Sequence, residues 1–272
     1  MPVTHWNELA QRWRWVGPPL RPCAEDVRAA EGAVRRWHEA AGGMPPDALL
    51  LGVTPEIATM RWPAGTRLVG VDHSWAMIRA VWPGAPLGFP AVCAEWYQLP
   101  LRDGSRDVVI GDGSFSALKS AHEYGPMAQA ARRVMRREAV FVIRFFVRPD
   151  APEPPAAVFE DLRRGRIGSF HVFKWRLVMS LQEDPGEGVA LGRVWDAWRA
   201  AGPEPEQLAR RTGWPLESVL TMEAYRGAAT RYSFPTLAEA RSAVAEAFEE
   251  TGCVYPTYEL GERCPTLIFR PR

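Results

Sequence analysis

The sequence predicts an α/β doubly wound domain with a mostly parallel seven-stranded sheet that ends in an antiparallel hairpin. Helices precede this domain, and a helical cap interrupts it. Three observations carry the prediction. Short apolar runs between residues 48 and 144 alternate with helical patterns, as parallel strands covered on both faces do. A long segment of helical periodicity follows, broken at Pro152-Glu153-Pro154-Pro155, Pro185-Gly186 and Gly202-Pro203. The alternation then resumes with one helix and two strands joined by a short turn, which makes that pair antiparallel.

In chain order, residues 5–40 read as helical, with a break at Gly17-Pro18-Pro19, and Gly42-Gly43-Met44-Pro45-Pro46 closes this prelude. The apolar runs are Ala48–Gly52, Leu68–Asp72, Ala91–Glu95, Asp107–Asp112 and Ala139–Arg144, with helices expected from Ser74 and near Glu123–Arg137. After the cap, a helix opens at Pro235-Thr236-Leu237 and runs to about Glu250. Cys253–Glu259 reads as a strand, Gly261-Glu262 as a turn and Thr266–Phe269 as the last strand. The expected organisation is a helical segment over 1–43, the α/β domain over 44–150 and 233–272, and a mainly helical cap over 151–232.

Composition narrows the partners. A net charge of +1 over 272 residues gives no electrostatic footprint for a nucleic acid or an anionic membrane. The paired arginines at 132–133, 136–137 and 163–164 alternate with acids and apolar residues, as solvated helix faces do. No stretch approaches the roughly 18 apolar residues of a membrane span, and the first residues lack the apolar core of a secretory signal. The four cysteines are far apart without a CxxC, and the five histidines form no HxH or HxxxH. Free thiols in the cytoplasm and no metal site are therefore expected, and the oligomeric state stays open.

The order of five β/α units, a helix and a terminal hairpin resembles the class I S-adenosylmethionine-dependent methyltransferases, over about Ala48–Val147 and Pro235–Phe269. The resemblance implies a Rossmann-like domain that binds S-adenosylmethionine. In that family the loop after the first strand holds several glycines. Here Leu50-Leu51-Gly52-Val53-Thr54-Pro55-Glu56 keeps only Gly52, and a leucine replaces the acid usual within the first strand. Thr54 is suited to cap a helix, Pro55 to its first position and Glu56 to its first turn. The free N–H groups there would favour the carboxylate of the cofactor's methionine end, while Glu56 meets the ammonium or faces solvent.

Asp72 ends the second strand about 20 residues after that loop, where an acid hydrogen-bonds ribose hydroxyls. By the resemblance, Met77 packs on the adenine, Glu95 accepts its amino group and the backbone of Trp96 meets the ring. Met77 and Trp96 also read as core residues. Gly111, Asp112 and Gly113 end the fourth strand, at the carboxyl edge where open α/β sheets place ligands. Gly111 or Gly113 would offer carbonyls to the cofactor ammonium, and Asp112 would hold it, act on the substrate or form a turn.

The cap and the N-terminal helices are the expected lid. If residues 163–176 are helical, His171, Lys174 and Trp175 share one face, with His171 as a candidate for a base and Lys174 for an anion clamp, or all as a packed aromatic face. Arg144 is placed to bind a carboxylate beside Phe145-Phe146. Tyr225, Tyr232 and Tyr258 are further candidates, Tyr232 as a catalytic one and Tyr258 on the penultimate strand. The expected function is methyl transfer to a small molecule, since a lid of this size implies an enclosed pocket. The alternatives are a non-methylating transfer or cyclisation with the same cofactor, or a binding protein without catalysis.

Overall fold

The computed structural model describes residues 5–184 and 186–272; residues 1–4 of the N-terminal segment and Pro185 of one expected break lie outside them. The N-terminal segment holds α1 (His5–Arg12), a 3-10 turn at Trp13–Trp15 and α2 (Ala24–Ala40). Then come β1 (Asp47–Leu51), α3 (Pro55–Ala58), β2 (Arg67–Asp72), α4 (Trp75–Val81), α5 (Gly84–Leu87), β3 (Ala91–Cys93), β4 (Arg106–Asp112), α6 (Tyr124–Val134) and β5 (Met135–Arg144). The cap contains α7 (Pro155–Arg163), α8 (Phe170–Ser180), β6 (Val189–Ala190), α9 (Leu191–Ala201), α10 (Pro205–Thr212), α11 (Leu216–Val219) and β7 (Arg231–Tyr232). The chain closes with α12 (Leu237–Val244), β8 (Phe248–Val254) and β9 (Thr266–Pro271).

The large sheet has the order β3-β2-β1-β4-β5-β9-β8. Its first five strands run parallel, and β9 is antiparallel to both neighbours. The period-2 alternation of a strand sends successive side chains to opposite faces. Leu49 and Leu51 accordingly pack with Met127 and Ala131 of α6 and Val244 of α12. Ala48 and Leu50 pack with Ala30, Ala33 and Val34 of α2 and with Ile57 of α3. Both faces are covered, so the strands read as unbroken apolar runs.

The end of the chain differs from the sequence reading. Phe248-Glu249-Glu250 begins a strand and does not finish a helix. On this edge strand Glu250 pairs with Arg241, and Glu249 with Arg270 opposite it, so charge that looked helical is the solvated face of a sheet edge. The hairpin link is also longer than expected. Residues 255–265 form it, with a 3-10 turn at Gly261–Arg263. Tyr258 thus lies in this loop and not on the penultimate strand.

The cap has an apolar core of its own. Phe170 and Phe173 each meet Trp198 edge to face, at 5.8 and 5.5 Å between ring centres, the arrangement that ring quadrupoles favour. Nearly every residue of α8 is buried, so this helix is the cap's central rod. The β6–β7 ribbon was not legible in the sequence, because two-residue strands carry no periodicity. Trp198 is fully buried at this junction. Trp198→Ala is expected to cost about 3–5 kcal/mol, read as a lower urea midpoint followed by circular dichroism.

Candidate functional site

A cavity runs across the carboxyl ends of β1, β2 and β4, where Gly52, Asp72, Asp112 and Gly113 line it. Trp6, Leu9 and Trp13 of the N-terminal segment roof it, and Phe146, Trp175, Tyr225 and Tyr232 wall its far end. It holds about 810 Å³ of empty space with its open mouth included. The site is a narrow aromatic slot. A second cleft adjoins it through Trp6, His73, Trp96 and Ala117, and Glu95 and Tyr97 border that cleft.

Gly52 follows β1 with a φ of +107°, a conformation a side chain resists. Its N–H donates to the carbonyl of Val71 at 2.8 Å, and the Trp96 indole N–H donates to the same oxygen at 2.7 Å. One carbonyl at the end of β2 therefore fixes both the glycine turn and the indole beside it. Asp72 is mostly buried, and its Oδ1 accepts from the Ser74 N–H at 2.7 Å. Burial pushes its carboxyl up to about 6, against the lowering effect of that hydrogen bond and of His73. The Asp72 Oδ2 lies 3.9 Å from where a Cβ on Gly52 would sit, and both residues line the slot.

Gly113 has a φ of +64°, and a Cβ there would come within 2.4 Å of the Phe146 ring. The turn after β4 can thus press against the far wall only as glycine. Gly111 lies in β4 against Ile143 and Ser114. Asp112 faces the cavity but is bound from behind by the Nε of Arg144 at 2.5 Å.

Arg144 itself is fully buried. Its Nη1 donates to the Pro19 carbonyl at 2.8 Å and to the Tyr258 hydroxyl at 3.0 Å, and lies 3.6 Å from Asp26. Tyr258 in turn donates to Asp26 at 3.0 Å. Burial alone would lower the Arg144 pKa, but Asp112, Tyr258 and Asp26 hold it well above the usual value. Arg144 and Tyr258, both read as substrate ligands in the sequence, are thus brought together behind the cavity and engaged with protein groups.

The remaining candidates divide. Tyr225 and Tyr232 line the cavity. Met77 packs with Ala10 of α1 in a satellite core beside it. Thr54 lines the cavity but makes no side-chain cap, and α3 is a single turn, too short to build the macrodipole read from Thr54-Pro55-Glu56. Glu56 is taken up by Arg21. His171 binds the Trp15 carbonyl through Nε2 at 2.8 Å. Lys174 is fully buried, with Nζ 3.0 Å from the Thr221 carbonyl and 4.0 Å from the centre of the Tyr225 ring. Burial pushes its amine down to about 7.

Sequence reasoning missed His5, Trp6 and Trp13. His5 is buried on α1, with Nδ1 3.1 Å from the Thr230 hydroxyl and Nε2 2.9 Å from that of Tyr232. Its partners lie 225 and 227 residues away, so no local pattern could mark it.

Arg144→Met leaves Asp112 and Asp26 buried without their cation and is expected to cost about 3–5 kcal/mol in urea unfolding. Burial also lowers His5 to about 3 and His171 to about 4. The unfolded chain takes up these two protons near pH 6.5 while the folded chain does not. Stability from each is therefore complete above pH 6.5 and falls as pH drops toward the folded value, by up to about 1.4 kcal/mol per pH unit. His171→Gln should flatten the stability profile between pH 6.5 and 4, measured by urea titration at each pH.

No protein-family model and no curated protein sequence matches the chain. Solved structures do resemble it. A Rhodobacter sphaeroides protein described as a Zn-dependent alcohol dehydrogenase superposes with a TM-score of 0.58 at 12% identity, over 100% of both chains. The CcbJ methyltransferase of Streptomyces caelestis gives 0.54 at 14%, over 99% of this chain and 98% of that one. The Burkholderia thailandensis 1,6-didemethyltoxoflavin-N1-methyltransferase, solved with 1,6-didemethyltoxoflavin and S-adenosylhomocysteine, gives 0.51 at 15%, over 100% and 91%. Among the described residues, no group of three or more His, Cys, Asp or Glu could hold a metal. Strand order, the terminal antiparallel pair and these superpositions together give the chain the class I Rossmann-like methyltransferase fold.

Proposed function

We propose that the protein is an S-adenosylmethionine-dependent methyltransferase acting on a small molecule. The observation that carries this reading is Asp72 at the end of β2, whose Oδ1 is held by Ser74 while Oδ2 has no hydrogen-bond partner among the described residues, on the slot that Gly52 also lines. An acid there suits the paired hydroxyls of a ribose. The adjoining cleft past Glu95 and Trp96 continues in the direction an adenine would take, with the exposed Glu95 as acceptor for its amino group. Asp112 and Gly113, which line the slot at the end of β4 next to Gly111, are the groups for the ammonium, and Thr54 borders the carboxylate end. The relatives of similar fold named as methyltransferases add support, one of them with S-adenosylhomocysteine bound.

When bound, the cofactor supplies an electrophilic methyl group on a sulfonium sulfur. Methyl transfer is an in-line displacement, so the work of this chain is positioning and exclusion of water. Phe146, Trp175, Tyr225 and Tyr232 supply the dry far wall, and α1 closes the roof. An enclosed wall of this kind suits a small acceptor and not a macromolecule. In this reading the N-terminal segment and the cap recognise the acceptor, and the α/β domain holds the cofactor. Cys23, Cys93, Cys253 and Cys264 are free, which suits the reducing cytoplasm.

Asp72→Ala is expected to weaken S-adenosylmethionine binding about tenfold or more by calorimetry. Unchanged affinity would refute the ribose assignment. In product analysis, S-adenosylhomocysteine supports methyl transfer. Methylthioadenosine would point instead to transfer of the aminocarboxypropyl arm.

A further inference from the structure

We infer that Tyr232, held by His5, reads a hydroxyl or amino hydrogen on a flat, uncharged aromatic acceptor seated at the far end of the slot. The inference rests on the methyltransferase reading and adds a substrate class to it. The shape comes first. The far end is built from the rings of Phe146, Trp175, Tyr225 and Tyr232, with Trp6 in the roof beside them. Trp175 meets Phe146 edge to face at 5.0 Å and Tyr232 at 5.8 Å, so the walls are locked against one another and favour a planar guest.

The polarity comes second. Of the carboxylates lining the slot, Asp112 is bound to Arg144, and Asp72 sits at the end of β2 away from the aromatic wall. The polar groups left at the wall are uncharged, the hydroxyls of Tyr225 and Tyr232 and the indole N–H of Trp175, and among the described residues the Tyr232 hydroxyl is the one of them with a hydrogen-bond partner, His5 Nε2 at 2.9 Å. Burial keeps the His5 ring neutral, with Lys174 and His73 opposing a proton on it as well. A neutral imidazole has one donor and one acceptor nitrogen. With Nδ1–H donating to Thr230, Nε2 accepts the Tyr232 proton, and the tyrosine oxygen turns its lone pairs to the slot. It then accepts a hydrogen bond and does not give one.

This polarity matches the chemistry. A hydroxyl or amino nucleophile must aim a lone pair at the methyl group, so its hydrogen must point to an acceptor elsewhere. Tyr232 is that acceptor, and His5 is a positioning residue that keeps the tyrosine's own proton out of the way. The device depends on α1, because His5 arrives from the roof and not from the cap that carries Tyr232.

The test uses the full chain with S-adenosylhomocysteine present and two probes, 2-naphthol and its methyl ether 2-methoxynaphthalene, followed by tryptophan fluorescence. The naphthol should bind about tenfold more tightly than the ether, the value of one hydrogen bond in a dry site. Tyr232→Phe should abolish that preference, and His5→Gln should reduce it. Equal binding of the two probes, binding of neither up to the solubility limit, or an unchanged preference in Tyr232→Phe overturns the inference. A second measurement needs no variant: the ¹⁵N shifts of the His5 ring in the wild-type chain. Protonation at Nδ1 with a bare Nε2 is expected, and protonation at Nε2 overturns the assigned polarity. Calorimetry with S-adenosylhomocysteine separates the two levels. Failure of that titration sinks the methyltransferase reading, whereas a lost probe preference with intact cofactor binding sinks only this inference.

Discussion

The architecture turns on one buried guanidinium. Arg144, at the end of β5, reaches Asp112 at the end of β4, Asp26 at the start of α2, the carbonyl of Pro19 and the hydroxyl of Tyr258. A charge removed from water persists only where its surroundings satisfy it. The N-terminal segment, two neighbouring strand ends and the β8–β9 loop must therefore converge on one point. That point lies directly behind the cavity, because Asp112 presents its other side to the slot. Phe146 stacks below the guanidinium at 4.8 Å and forms part of the far wall. The wall and the ion cluster are two sides of one structure.

This arrangement explains what the sequence could reveal. The parallel strands were legible because burial on both faces demands unbroken apolar runs, and Asp72 was legible because its place depends only on the end of a strand. Gly113 could be suspected from its position, though its reason, the Phe146 ring, lies over thirty residues downstream. Arg144 carries no local sign of its partners, and an arginine beside two phenylalanines reads equally well as a ligand-binding group. His5 and Trp6 read only as the start of a helical segment. The boundary at Phe248 failed for a different reason: the acids of an edge strand mimic the polar face of a helix when the strand opposite is not in view.

The cap is held to the rest by backbone as much as by side chains. The carbonyl of Trp15 accepts from His171 at 2.8 Å and from Ser218 at 3.0 Å, so one peptide of the N-terminal segment joins two elements of the cap. Arg21 secures the same segment to Glu56 beside the slot. α1 lies against α4 and the 3-10 turn before β7, and so bridges the α/β domain and the cap. A roof fastened on both sides makes the slot narrow. It also ties any widening to a shift of the N-terminal segment as a unit.

The Asp26–Tyr258 hydrogen bond spans 232 residues, and it has a consequence for how the molecule comes into being. Loop closure over such a distance is entropically unfavourable and is rewarded only late. During synthesis from the N-terminus, α2 emerges long before the loop that completes the shell around its acid. Until that loop arrives, Asp26 and Arg144 have only part of their final surroundings. Phe146 of the far wall rests on the Arg144 guanidinium, so the slot takes its final shape as one of the last acts of folding.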